Sequence, residues 1–190
     1  MTVCQLYAKQ IRHRGNVRYN TKNGRKRLMK LLEEDKLGGC PIDSVKLSDA
    51  KEWAIRMKEK GISYKTISND KRSLKAAFYT AIQDDCIRKK PFDFQLNTVI
   101  EDDTEPKVPL TPAQEESFLS FAQNDKVYQK YYDELIILLG TGLRISELCG
   151  LTDTDIDFEN RIINVDHQLL RSAETGYYIE TPKTKSGIRQ

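Results

Sequence analysis

The sequence predicts a mainly α-helical protein with one small β-hairpin, arranged as two units. Three observations carry this. Apolar residues recur at helical spacing through the first hundred residues; an acidic, proline-terminated stretch, Glu101-Asp102-Asp103-Thr104-Glu105-Pro106, then interrupts the pattern; and strand-like segments enter only after Arg161. A chain of 190 residues suits one domain or two small ones, and 38% hydrophobic with 31% charged residues supports a globular core. No stretch approaches the roughly 20 apolar residues of a membrane span. Met1 is followed by Thr2-Val3-Cys4-Gln5, without the basic-then-apolar order of a signal peptide, so the expected location is the cytoplasm.

The net charge of +3 conceals an asymmetry: residues 1–100 hold 22 Lys or Arg against 11 Asp or Glu, whereas residues 101–190 hold 9 against 17. A basic first half fits a polyanionic partner, with nucleic acid or an anionic membrane surface as candidates, or else a lysine-rich solvated surface. Cys4, Cys40, Cys86 and Cys149 stand singly, so they read as reduced, small buried apolar residues. With no Cys-x-x-Cys pair, and with His13 and His167 isolated, no metal site is expected.

In the first unit, Val3, Leu6 and Tyr7 predict a helix over residues 2–10. Arg12, Arg14, Gly15, Asn16 and Arg18 then form a basic connector. Leu28, Leu31 and Leu32 place a second helix from Lys22 to Asp35, with a stop at Gly38-Gly39. Ser48 is the expected N-cap of a third helix over Asp49 to Lys60, in which Trp53, Ala54 and Met57 face inward before Gly61. Ser63 caps a fourth that runs to Asp84. Its apolar stripe is Ile67, Leu74, Ala77, Phe78 and Ala81, while Lys65, Asn69, Arg72 and Lys75 recur on another face. Such a helix fits the major groove of duplex DNA, where these side chains reach phosphates and base edges; a merely solvated face is the alternative.

We place the boundary in an acidic linker over residues 93–109, between a helical unit at 1–92 and a second unit at 110–190. The second opens on Thr111, Pro112 and Gln114, a capping-box start. Phe118, Leu119 and Ala122 continue that helix. Tyr131 to Leu139 predicts a buried helix, broken at Gly140-Thr141-Gly142, after which helix restarts at Leu143. Arg161 to Leu169 reads as a strand that pairs with Tyr177 to Thr181 across a polar tip at Ser172 to Gly176.

One segment carries chemistry: Thr141-Gly142-Leu143-Arg144-Ile145-Ser146-Glu147-Leu148-Cys149-Gly150-Leu151. A glycine turn feeds a helix, with Arg144 at the junction and Glu147 three residues later on the same face. The arginine fork binds phosphate in bidentate fashion, and Glu147 can orient it. An ordinary helix-start ion pair is the plainer reading.

The same segment resembles the first conserved box of the tyrosine site-specific recombinases, the phage-type integrases, and is most similar to integrases of conjugative transposons. Glu180-Thr181-Pro182-Lys183-Thr184-Lys185-Ser186-Gly187-Ile188-Arg189 resembles the β-hairpin that carries that family's active-site lysine. Ser63-Tyr64-Lys65-Thr66-Ile67 and Lys89-Lys90-Pro91 are similar to the bounds of a helix in the family's core-binding domain. The resemblance implies a SAM-like helical core-binding bundle followed by part of an α+β catalytic domain. It implies that Arg144 contacts the scissile phosphate, that Glu147 supports it, and that Lys183, with Lys185 as the alternative, protonates the 5′-hydroxyl leaving group. No cofactor or metal is implied. The partners implied are double-stranded DNA at core recombination sites, bound in part through Lys65, Asn69, Arg72, Lys75, Arg12, Arg14 and Arg18, and other integrase protomers on that DNA; no membrane is involved.

In the family, a His-x-x-Arg box and a nucleophilic tyrosine follow these boxes. None of the nine tyrosines here stands in that order, so the expectation is an amino-terminal portion of a recombinase that binds DNA without cutting it. The alternatives are a truncated integrase acting as a core-site competitor or regulator, and a helical protein-interaction module.

Overall fold

The computed structural model describes residues 1–15 and 17–190, with the side chains of all of these but Lys185. Asn16, part of the expected basic connector, lies outside the described residues. The chain divides into two compact units, Met1–Pro106 and Lys107–Gln190. Among the described residues no helix is long and apolar enough to cross a membrane.

The first unit is a helical bundle: α1 (Val3–His13), α2 (Tyr19–Glu33), the short α3 (Lys36–Gly39), α4 (Leu47–Glu59) and α5 (Tyr64–Gln83), closed by a 3-10 turn at Leu96–Thr98. Local hydrogen-bond chemistry sets the helix starts. Thr2 caps α1 reciprocally with Gln5: its hydroxyl accepts the Gln5 amide at 3.3 Å, and Gln5 Oε1 accepts the Thr2 amide at 2.9 Å. Ser48, the expected cap of α4, lies inside the helix instead. The carboxylate of Asp49 reaches back to accept the Lys46 amide at 2.8 Å, and the helix therefore begins at Leu47. The expected stop at Gly38-Gly39 is itself helical: Asp35 caps α3 by accepting the Leu37 amide at 2.9 Å. Gly38 has to be glycine there, because a Cβ would stand 2.0 Å from the Leu32 carbonyl oxygen.

Trp53, Phe78 and Phe92 form the centre of the core, with ring centroids 5.9 Å (Trp53 to Phe92) and 5.3 Å (Phe78 to Phe92) apart. Two buried carboxylates are matched by arginine: Asp35 accepts 2.8 Å bonds from Arg56 Nε and Nη2, and both oxygens of Asp70 accept from Arg27 Nη2 at 2.6 and 2.7 Å. The two carboxyls respond in opposite directions. Despite the cost of burial, Arg56 and the Leu37 amide hold Asp35 below the usual carboxylate range, whereas burial outweighs Arg27 and pushes Asp70 up. Over the segment expected to be a linker, Leu96 and Ile100 are buried in this core, and residues 101–110 are exposed throughout.

The second unit comprises α6 (Pro112–Asn124), a 3-10 turn at Gln129–Tyr131, α7 (Tyr132–Thr141), α8 (Ile145–Leu148) and a 3-10 turn at Asp153–Asp155. Four strands follow, β1 (Ile156–Asp157), β2 (Ile162–Ile163), β3 (Gln168–Ser172) and β4 (Gly176–Glu180), and then a 3-10 turn at Lys185–Gly187. The Thr111 and Gln114 capping box forms in full, with Pro112 in the first turn. The single strand expected over 161–169 is two strands with different partners. β2 turns back on β1, while β3 pairs with β4 from Gln168↔Glu180 to Ser172↔Gly176. The break falls at Asn164, whose amide bonds to the Asp155 carbonyl at 2.8 Å.

The apolar helix expected to be buried is α7, and it is not: Ile136, Ile137 and Leu139 are 40% or more exposed. Apolar sequence makes burial favourable but does not supply the surface that does the covering. The cysteines also differ from expectation, since Cys86 and Cys149 are exposed and Cys4 and Cys40 only half-buried; all four are free thiols.

Candidate active site

Gly142 ends α7 in the left-handed region, with φ of +66°, and lets the chain reverse into α8 within two residues. Leu143 anchors the turn by burial and Arg144 occupies the N-cap of α8. Glu147, one turn on, accepts the Arg144 amide on Oε2 at 2.9 Å and Arg144 Nη1 on Oε1 at 2.5 Å. The two ends of this ion pair differ in environment: the side chain of Glu147 is 2% exposed and that of Arg144 69%. The arginine is thus tethered by one nitrogen to a buried carboxylate while most of its fork faces solvent.

Arg189 completes the cluster. Its Nη2 and Nη1 donate to the two Glu147 oxygens at 2.8 and 3.2 Å, and its backbone bridges Val165 in both directions at 2.8 and 3.0 Å. These cations, Arg189 foremost, and the Arg144 amide lower the Glu147 carboxyl from 4.5 to about 2. Sequence reasoning missed the partnership. Arg189 ended the second motif without a role, and nothing local in the sequence marks a contact 42 residues away.

Residues 181–188 form an excursion held at both ends on one edge, by Gln168↔Glu180 and by Val165↔Arg189. Gln168 Nε2 also donates to the Thr181 carbonyl at 3.3 Å. Both candidate lysines lie on this excursion, beyond the last residue of β4 and away from the Ser172–Gly176 hairpin tip. Lys183 is exposed and, among the described residues, is not bonded to Arg144 or Glu147. The side chain of Lys185 lies outside the described residues.

His167, expected to stand isolated, is instead surrounded by oxygen atoms that the strands bring to it. Its Nε2 stands 2.6 Å from the Gly150 carbonyl and its Nδ1 2.5 Å from Asp166 Oδ1, with Asp155 Oδ2 at 3.8 Å. Ligand atoms of Asp155, Asp166 and His167 fall within 4.8 Å of one another, but both ring nitrogens are already engaged and no metal is assigned.

In the first unit, Lys65, Asn69, Arg72 and Lys75 are all exposed on one face of α5, continued by Tyr79 at 54%. Arg72 Nη1 donates to Asn69 Oδ1 at 3.3 Å and Lys75 pairs with Asp93 at 2.5 Å. Arg12 and Arg14 are exposed at the end of α1, whereas Arg18 is half-buried at the start of α2, where its carbonyl accepts the Lys22 amide. A groove that sequence reasoning missed has Lys22, Arg25, Lys26 and Lys30 over Ile11 and Met29. Its signal was the basic repeat along α2.

Comparison with known proteins bears directly on this site. The phage integrase family matches residues 109–185, which include Arg144, Glu147 and both lysines. Over all 190 residues the chain is 67% identical to the transposase of transposon Tn916 from Enterococcus faecalis, and it spans 47% of that protein. The chain belongs to the phage integrase family. Among tyrosine recombinases it is also similar to XerA of Pyrococcus furiosus, at 33% identity over 147 residues that make up 73% of this chain and 43% of that one. This integrase-family chain superposes on the Tn1549 transposon integrase, solved with circular intermediate DNA, with a TM-score of 0.96 and 80% identity, covering 100% of this chain and 60% of that one. A lambda integrase tetramer bound to a Holliday junction matches with a TM-score of 0.59 at 16% identity, covering 94% of this chain and 49% of that one, which shows the shared fold. The chain spans about half the length of the curated relatives it matches.

Proposed function

We propose that this chain binds duplex DNA and supplies the phosphate-contacting arginine of a recombinase that breaks and rejoins strands to integrate and excise a mobile element. The observation that carries the reading is the Arg144 side chain, tethered by one nitrogen to buried Glu147 and 69% exposed. A guanidinium so held can donate from its remaining N–H groups to a non-bridging phosphate oxygen, and its geometry is set before DNA arrives. The Tn1549 integrase, similar at 80% identity, was solved with DNA.

In this reading α5 lies against the duplex through Lys65, Asn69, Arg72 and Lys75, with Arg12, Arg14 and Arg18 contacting phosphates. In the whole recombinase, a tyrosine hydroxyl gives up its proton as its oxygen attacks the phosphorus, the bond to the 5′-oxygen breaks as the phosphotyrosine forms, and that oxygen leaves with a proton from Lys183 or Lys185. Arg144 stabilises charge on the non-bridging oxygens throughout. The protein works in the cytoplasm, beside its DNA and with other protomers of its kind.

Within these residues, Tyr7 is buried in the first unit, whereas Tyr177, with the Arg171 guanidinium 5.5 Å over its ring, is 70% exposed on β4 and precedes both lysines, out of the order in which the family's nucleophile follows them. We therefore propose that the 190 residues bind without cutting. Incubation with a nicked suicide duplex tests this: a salt-sensitive, non-covalent complex is expected, and a denaturation-resistant protein–DNA adduct would overturn it.

A further inference from the structure

We propose that His167 is a positioning residue for Arg144, acting as an imidazolium that ties the carboxy-terminal end of α8 to the start of β3. The inference rests on reading Arg144 as a DNA-phosphate contact.

A neutral imidazole donates from one nitrogen only, yet both nitrogens of His167 face oxygen atoms that can only accept, the Gly150 carbonyl and the Asp166 carboxylate. The doubly protonated ring satisfies both. Among the described residues, the charged groups facing it are Asp166, adjacent in the chain, and Asp155 from the turn before β1; from the end of α8 it meets only the Gly150 carbonyl. Arg189 lines the same cavity as Asp155 and Asp166, but its guanidinium is committed to Glu147. The Asp166 carboxylate and the Gly150 carbonyl raise the His167 pKa.

The end of α8 is also packed tightly on β3. A Cβ at Gly150 would lie 3.0 Å from the Leu169 nitrogen and 3.1 Å from the Gln168 Cα. Ser146 Oγ donates to Gln168 Oε1 at 3.1 Å, and Arg189 holds Glu147 from the same strand edge. Of these ties, the one through His167 is the one that loses a proton from a neutralisable cation as pH rises, later than for an ordinary histidine. When the ring loses a proton, the carboxylate retains the remaining N–H and the Nε2 lone pair faces the Gly150 oxygen. That contact becomes repulsive, and α8, with Arg144 at its first cap, loses an anchor.

The test is a pH titration of the full 190-residue chain by NMR, following the His167 ring and the Arg144 Nε–H resonance, with duplex affinity measured in parallel. The Arg144 resonance should move along the His167 curve, with a midpoint above the ordinary histidine value of about 6.5. Asp166→Asn should lower both midpoints together, and His167→Gln should abolish the Arg144 response. Duplex affinity should fall on the order of threefold between about pH 6 and about pH 9 in the parent chain, and this fall should vanish in His167→Gln. An Arg144 resonance that stays flat while His167 titrates, or that ignores the Asp166→Asn shift, would overturn the proposal. Coupled midpoints in a chain that binds no duplex at any pH would support the positioning role and overturn the DNA reading instead.

Discussion

Arg189 grips both oxygens of Glu147, at 2.8 and 3.2 Å, and so satisfies a buried carboxylate that Arg144 alone would have to neutralise. The consequence is a division of labour. Arg189, 34% exposed, holds the charge, while Arg144, 69% exposed, keeps most of its fork open to a ligand.

Removing Arg189 should therefore harm the fold before it harms the surface charge. We expect Arg189→Gln to destabilise the second unit by about 2 kcal/mol, less than the full penalty for breaking a buried pair because Arg144 still contacts the carboxylate. Arg144→Gln, which removes the more exposed partner, should cost about 1 kcal/mol or less. Thermal melts of the two variants decide the order; equal losses would contradict the division of labour.

Acid should unfold the second unit through the same carboxylate. The Glu147 pKa is depressed from 4.5 to about 2 in the folded chain, so its contribution is fully present above 4.5 and is lost as pH falls towards 2. We expect stability to drop over that window by roughly 2 kcal/mol, an amount discounted for the solvent around Arg144. Glu147→Gln should flatten the dependence, as read from urea melts at a series of pH values.

How far the fold was legible in the sequence follows from the range of the interactions involved. The Thr111 capping box, the Gly61 stop and the inward face of α5 depend on residues within one turn, and each formed as the sequence predicted. Where two local partners compete, sequence does not decide between them: Asp49, and not Ser48, sets the start of α4. Non-local relations left no local mark. The switch from β2 to β3 depends on Asn164 binding back to Asp155, and the exposure of α7 depends on which neighbours are present. The candidate site shows the same split, since Arg144 and Glu147 sit one turn apart whereas Arg189 and His167 join them through the strands.

The Lys75 and Asp93 pair sets a graded expectation for DNA. Arg72→Ala with Lys75→Ala should weaken duplex binding about tenfold or more at moderate salt and shallow the salt dependence by about two counterions. Asp93→Asn, which frees Lys75 from its 2.5 Å partner, should strengthen binding by a small factor. Fluorescence anisotropy over a salt series measures both.

The first unit offers a check on packing alone. Because a methyl group at Gly38 would stand 2.0 Å from the Leu32 oxygen and 2.7 Å from Cys4 Sγ, Gly38→Ala should cost about 3 kcal/mol. The neighbouring Gly39, with nothing within 4 Å, should accept alanine almost freely. Calorimetry of the pair compares them directly.

The most direct measurement of the central assignment is a methylphosphonate scan of a transposon-end duplex, which neutralises one phosphate at a time while affinity is read for the parent chain and for Arg144→Ala. If Arg144 engages a single phosphodiester, the parent should lose affinity sharply at one position, and the variant should be indifferent to that substitution alone. A variant whose sensitivity profile matches the parent's at every position would contradict the account.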